Sequence, residues 1–297
     1  MNPSPRSDNL ASSLGTLYIV ATPIGHLADI SERALQTLRQ VTVIAAEDTR
    51  HSQRLLSHYG ISQRLWSLHD HNESERLQQV LALLSQGSDV ALISDAGTPL
   101  ISDPGYRLVR ATLEAGYRVS PIPGAAAVTA ALSVAGQPTD RFLFEGFLPA
   151  KREARRKRLA AVVEESATLV FYESPHRILE SLQDMAELLG GARSITLCRE
   201  LTKQYETILL STLAELPLIL HNDANQCRGE FVLLVHGALP VAAGATVSDE
   251  ALRIAKILAT ELAPRQAAGL TAQITGEKRN AIYAALLERE DVPITAS

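Results

Sequence analysis

Cysteine is nearly absent: Cys198 and Cys227 are the only two in 297 residues, and they do not form a Cys-x-x-Cys pair. No histidine cluster at ligand spacing accompanies them. A disulfide scaffold and a structural zinc site are therefore not expected, no metal is expected, and a reducing cytoplasm suits the chain. Aromatic residues make up 4% of the sequence, too few for a broad ring-lined floor. No apolar run approaches the roughly 20 residues that span a bilayer, so no membrane association is expected. The opening Met1 to Ser13 is polar and holds two prolines, which reads as a flexible tail rather than a signal peptide or anchor. Positive charge is not in excess either. The formal net charge of −5 excludes a wholly basic nucleic-acid binder and leaves only local patches for such contacts. The turn after the first apolar strand is Ala21-Thr22-Pro23-Ile24-Gly25, not GxGxxG, and there is no GxxxxGK[ST] loop.

What is present is a globular α/β pattern. A hydrophobic content of 46% with 21% charge supports a full core, and the length allows two compact domains. Leu17–Ala21, Val41–Ala46 and Val90–Ser94 read as short buried strands. Asp29 with Glu32, and Asn72 with Glu75, resemble helix starts. Tyr106–Ala115 and a strand near Val119 complete a first unit, and Ala125–Ala135 follows as a small-residue helix. Thr168–Tyr172, Ser194–Cys198, Glu206–Leu210 and Phe231–Val235 are strands of a second unit whose sheet is expected to be mixed. The resulting division is a tail over 1–13, an α/β domain over 14–124, a connection over 125–140, a second α/β domain over 141–237, a linker over 238–247 and a small helical module over 248–297.

The chemistry-bearing residues gather where strands end. The longest such segment runs from Ser94 through Asp95-Ala96-Gly97-Thr98-Pro99 to Asp103-Pro104-Gly105-Tyr106. It is about twice the length of an ordinary strand-to-helix turn. Glycines that permit close backbone approach alternate in it with stiffening prolines, which suits a ligand cradle at the carboxyl end of a parallel strand. Glu47-Asp48-Thr49-Arg50 ends the second strand, and helix capping by Asp48 competes there with catalysis. Glu173-Ser174-Pro175-His176-Arg177, Cys198 to Lys203 and Arg228-Gly229-Glu230-Phe231 occupy equivalent places in the second half. Together these loops point to one cleft between two α/β halves.

Two further segments suggest RNA. Lys151, Arg152, Arg155, Arg156, Lys157 and Arg158 put six basic residues into eight. Such a run covers most faces of a helix with cations and suits phosphates, although a solvated helix face is its commoner meaning. Near the end, Pro264–Ile274 and Glu277–Arg289 flank Thr275-Gly276 as a helix-turn-helix pair would. Ala267, Leu270, Ile274, Ile282 and Leu286 are expected as its core, and Lys278 and Arg279 stand where such motifs meet nucleic acid.

Taken in order, Leu17 to Gly25, Glu47 to Arg50, Ser94 to Tyr106, Phe171 to Arg177, Cys198 to Lys203 and Gly229-Glu230-Phe231 resemble the ribosomal RNA small subunit methyltransferase I family. These are enzymes of the tetrapyrrole methylase fold, the class III S-adenosylmethionine methyltransferases. The chain departs from the family at His26, where asparagine is usual. The resemblance implies two α/β domains with an active-site cleft between them, binding S-adenosylmethionine. Its contacts would be Pro23, Ala96, Gly97, Thr98 and Ile101 from the first half, and Ala126 and Ala127 from the connection. From the second half they would be Glu173, Leu201, Gly229, Glu230 and Phe231. The reaction implied is 2′-O-methylation of one cytidine in the decoding region of 16S ribosomal RNA in the small subunit, by a homodimer. Glu47, Asp48, Asp103 and Glu200, in that order, are candidates for a general base. Two alternatives stand beside this reading: a methyltransferase of the same fold acting on a tetrapyrrole or a protein, and a non-catalytic RNA-binding assembly factor.

Overall fold

The computed structural model describes residues 14–68, 73–239 and 247–287. The expected tail, the Asn72 cap and most of the expected linker lie outside the described residues. The chain forms two compact units, 1–237 and 238–297.

The first half of the larger unit is a sheet of five parallel strands: β1 (Thr16–Val20), β2 (Val43–Ala46), β3 (Arg64–Ser67), β4 (Val90–Ile93) and β5 (Arg118–Ile122). Their order is β3-β2-β4-β1-β5. Strands β2 and β4 are buried at every residue, which explains their unbroken apolar sequence: both faces of the sheet are covered. Helices α1 (Glu32–Gln40), α2 (Thr49–His58), α3 (Glu73–Ser85) and α4 (Tyr106–Glu114) do the covering. The cap of α1 is Ser31, whose hydroxyl accepts from the Ala34 amide at 3.1 Å. Asp29, expected as that cap, instead closes a short 3-10 turn over Leu27–Asp29. His26 starts this turn, its Nδ1 accepting from the Ala28 amide at 3.3 Å. An asparagine oxygen can serve the same cap, so the departure at position 26 preserves the local structure.

The helix α5 (Ala127–Val134) leads to a second five-stranded sheet: β6 (Phe142–Phe147), β7 (Thr168–Glu173), β8 (Ser194–Arg199), β9 (Thr207–Thr212) and β10 (Phe231–Val235). The order is β6-β7-β10-β8-β9. Only β6 and β7 run parallel, so the sheet is mixed. Alternation sorts its side chains between two cores. Leu169, Phe171, Leu233 and Val235 face helices α6 (Arg152–Ala160), α7 (Ile178–Leu189) and α8 (Leu216–Asn222). Val170, Cys198, Val232 and Leu234 face the other way, against α5 and Ile24.

The basic run forms α6, and its arginines are tied to carboxylates, one of them in the interior. Arg155 is 1% exposed and donates from Nε to Asp184 of α7 at 2.8 Å. Arg152 and Arg156 also pair with Asp184, Arg156 pairs with Glu187, and Arg158 pairs with Glu145. Burial alone would raise the Asp184 carboxyl; hydrogen bonds from the arginines outweigh it and hold the group below its ordinary range. Carboxylates from other parts of the chain therefore pair with four of the six basic residues of the run, and Lys151 and Lys157 stay exposed.

The smaller unit holds α9 (Asp249–Ala259), α10 (Pro264–Thr275) and α11 (Arg279–Leu287). Ser248 caps α9, and Gly276 in the left-handed conformation ends α10. Its core is Ala255, Ala268 and Ile282 with Ala272, Tyr283 and Leu286 against it. Leu270 and Ile274, expected inside, are exposed: α10 buries the 267/268/271 face, and these two lie off it. Among the described residues no helix is long and apolar enough to cross a membrane.

Candidate functional site

A cavity of about 350 Å³ opens where the loops at the carboxyl ends of the first sheet meet the second sheet. One wall is the segment after β4, running from Asp95 to Asp103. The start of α5 contributes Ala126 and Ala127. Phe147, Tyr172, Leu201 and the Glu230-Phe231-Val232 stretch close it from the other side.

Backbone, more than side chain, shapes this site. Thr22 and Gly97 exchange hydrogen bonds, N to O at 2.8 and 3.1 Å, tying the turn after β1 to the loop after β4. Gly97 has φ of +85°, and a Cβ there would lie 3.3 Å from an Ile24 methyl. Leu100 and Ser102 on this loop, and Glu200 and Thr202 on the loop after β8, hold positive φ without being glycine. Conformations of this kind cost free energy and persist where the surroundings enforce them, commonly at functional sites. The two loop systems also meet: the His26 amide donates to the Thr202 hydroxyl at 3.1 Å, and the Thr98 hydroxyl donates to the Ala125 carbonyl at 3.0 Å.

Of the residues expected around a cofactor, Ala96, Gly97, Thr98, Ile101, Ala126, Ala127, Glu173, Leu201, Glu230 and Phe231 line the cavity. Pro23 and Gly229 do not. Gly229 serves instead to pass the Glu200 side chain, which lies 2.5 Å from where its Cβ would be. Glu173 has both carboxylate oxygens engaged, by the Ser174 amide and the Ser181 hydroxyl, and pairs with Arg177. It braces the end of β7. Phe147 carries no functional signal in the sequence, and Tyr172 enters only as a member of the Phe171 to Arg177 segment; the Tyr172 oxygen accepts from the Val128 amide at 3.0 Å across the seam. Burial, with Asp103 nearby, pushes the Tyr172 phenol up to about 12. Cys198 also lines the cavity, and burial lifts its thiol to about 12, which leaves it unreactive filler.

The candidate bases separate sharply. Asp48 caps α2 and pairs with Arg50 at 3.1 Å, and these contacts hold its carboxyl down at about 2. It is too weak a base to accept a proton. Glu200 bonds Lys203 and accepts from the Glu230 amide; these outweigh its burial and keep it below the ordinary range. Both are structural, and neither lines the cavity. Glu47 is exposed at the edge. Asp103, on the cavity wall, is pushed up to about 6, first by burial and then by the charges of Glu47 and Asp95, with a Ser94 hydrogen bond pulling the other way. Among the described residues no group of three or more His, Cys, Asp or Glu is placed to hold a metal ion.

A family profile for tetrapyrrole (corrin/porphyrin) methylases matches residues 16–217, and one for the RsmI C-terminal HTH domain matches residues 245–290. The chain is 54% identical to the ribosomal RNA small subunit methyltransferase I of Pseudomonas aeruginosa, over 94% of its own length and 99% of the relative's. It is 52% identical to the protein of that name from Escherichia coli O157:H7, over 94% and 97%. Among solved structures, a cobalt precorrin-4 methyltransferase of cobalamin biosynthesis superposes with a TM-score of 0.56 at 17% identity, covering 74% of this chain and 94% of that one. The methyltransferase CobJ gives 0.55 at 21%, covering 79% and 97%. At such identities these two speak for the fold.

The raised Asp103 pKa has a consequence for stability. The ordinary value is 3.8, so the group's contribution is fully present below that pH and is lost as pH rises through about 6. Asp103→Asn removes the ionisation. The melting-temperature difference, variant minus parent, is expected to be more positive at pH 7.5 than at pH 4; equal differences would show an ordinary, solvated carboxylate.

Proposed function

The chain belongs to the tetrapyrrole methylase family, and from that membership we propose that it methylates the 2′-hydroxyl of a cytidine in 16S ribosomal RNA with S-adenosylmethionine as donor. The substrate follows its relatives' name; the site follows the cavity. One observation carries the assignment: a cavity walled by small residues and loop backbone holds the Asp103 carboxyl, poised near pH 6.

The residues fit the cofactor. Gly97 presents backbone where any side chain would intrude, and Ala96, Ala126 and Ala127 keep the walls shallow. Ile101, Leu201 and Phe231 provide apolar contact, and the carboxylates of Asp95 and Asp103 favour a cation. S-adenosylmethionine bound there supplies a methyl already activated on a sulfonium sulfur. The protein's work is then alignment and one proton. That methyl would pass from the sulfur to the ribose oxygen, and Asp103 would accept the 2′-hydroxyl proton on its carboxylate. Holding the reactants aligned contributes most of the acceleration, and a base adds about 10²–10⁴-fold. The two loop systems, joined through His26 and Thr202, hold the cavity mouth in shape.

In the smaller unit, Lys278 and Arg279 stand exposed at the start of α11, where they bind ribosomal RNA phosphates. The enzyme acts in the cytoplasm on small subunits and does so as a homodimer, for which light scattering reads twice the chain mass.

With unmodified small subunits and methyl-labelled S-adenosylmethionine, label is expected in 2′-O-methylcytidine. Label in protein, or none, would reject the reading. Asp103→Asn is expected to lower kcat by about 10²–10⁴-fold, and the parent's rate should climb with pH through about 6. Lys278→Glu with Arg279→Glu should weaken subunit binding at low salt, less so at high salt, and leave cofactor binding intact. A loss of cofactor binding would assign these two residues elsewhere.

A further inference from the structure

The α6 arginines have carboxylate partners, and most of a second cationic region of the larger unit has none among the described residues. Between Asp48 and Asp70 the sequence carries no aspartate or glutamate, yet it holds Arg50, Arg54 and Arg64. In the fold this segment becomes α2 and β3, the outer edge of the first sheet. Helix α2 buries Ser52 and Leu56. Arg50, Arg54 and His58, spaced four apart, therefore share its outer face, and all three are exposed, Arg50 being paired with Asp48.

Across β3 lies a second cationic feature. The Arg64 and Arg76 guanidiniums each sit 5.3 Å from the centre of the Trp66 ring. Arg76 is fixed further by bonds to the Ser67 carbonyl at 3.2 Å and to Gln79. Stacking on an aromatic face orients a guanidinium while leaving its in-plane N–H donors available, the arrangement that suits a phosphate. Among the described residues no carboxylate pairs with Arg54, Arg64 or Arg76, in contrast to the arginines of α6.

This edge is continuous with the cavity. The Asp48 amide, at the first turn of α2, donates to the Asp95 carboxylate at 3.3 Å, and Asp95 lines the cavity. Past Asp48, the α2 and β3 segment carries no carboxylate of its own up to Asp70.

We propose that the outer face of α2 with the Arg64–Trp66–Arg76 stack is the track that binds the substrate RNA backbone flanking the methylated ribose. This rests on the function proposed above and identifies which surface of the catalytic unit holds the RNA. Charge complementarity and continuity with the cavity select RNA over a protein partner or a second copy of the chain.

The test uses the full chain carrying Arg54→Glu and Arg64→Glu, assayed with small subunits and labelled S-adenosylmethionine. KM for the subunit should rise at least tenfold, with kcat, cofactor affinity and melting temperature held. The log–log salt dependence of binding should flatten by about 0.7 for each single-strand phosphate that is no longer neutralised. Arg54→Lys with Arg64→Lys should recover most of the affinity. A Lys151→Glu, Lys157→Glu chain should lose less than the α2/β3 variant. A subunit KM within twofold of the parent, a salt-independent loss, a changed oligomeric mass, or a greater loss from the α6 variant would each overturn the proposal. A parent chain that transfers no label to RNA would overturn the function instead.

Discussion

The site depends on one apolar seam. Ile24, from the turn after β1, and the alanine-rich face of α5 close against Val170, Cys198, Leu201 and Val232 of the second sheet. This contact holds two sheets, each with its own cores, at a fixed separation. Small residues allow it: Ala131 and Ala135 are almost wholly buried where larger side chains would push α5 off the sheet. The cavity is the space left beside the seam, so its walls come from loop backbone on one side and β-strand ends on the other. Burial of apolar surface along the seam, at about 25 cal/mol per Å², offsets the cost of the positive-φ loop residues that shape the walls.

The same enclosure sets the chemistry. Asp48 and Asp103 both stand near strand ends of the first sheet, yet their pKa values diverge to about 2 and about 6. Asp48 meets a helix start and an arginine; Asp103 meets a dry wall and two neighbouring carboxylates. Environment alone divides them, and the raised group lowers stability at neutral pH.

Much of this is legible in the chain. Gly97, Gly105 and the prolines between them mark the long loop because no core needs them, and the unbroken apolar run of Phe231–Val235 reports a strand with two covered faces. Other features depend on partners far away in sequence. Nothing near Arg155 announces that Asp184 will bury it, and only the fold brings Glu145 of β6 to Arg158. The candidate bases rank differently in the fold for the same reason. Glu47 and Asp48 look most reactive as an adjacent acidic pair, while Asp103 is raised by residues that only the fold brings close. Phe147 stays hidden because an aromatic in a strand reads as core, and it meets the Tyr172 ring only in the fold.

Whether this loop-walled cavity holds S-adenosylmethionine is tested most directly by titration calorimetry with the cofactor, comparing the parent with Gly97→Val. Saturable binding with one site per chain is expected in the parent. In the variant that binding is expected to vanish with the fold retained, because the added side chain meets Ile24 and fills the cradle. Equal affinity in the two proteins, or no binding by the parent at millimolar cofactor, would contradict the assignment.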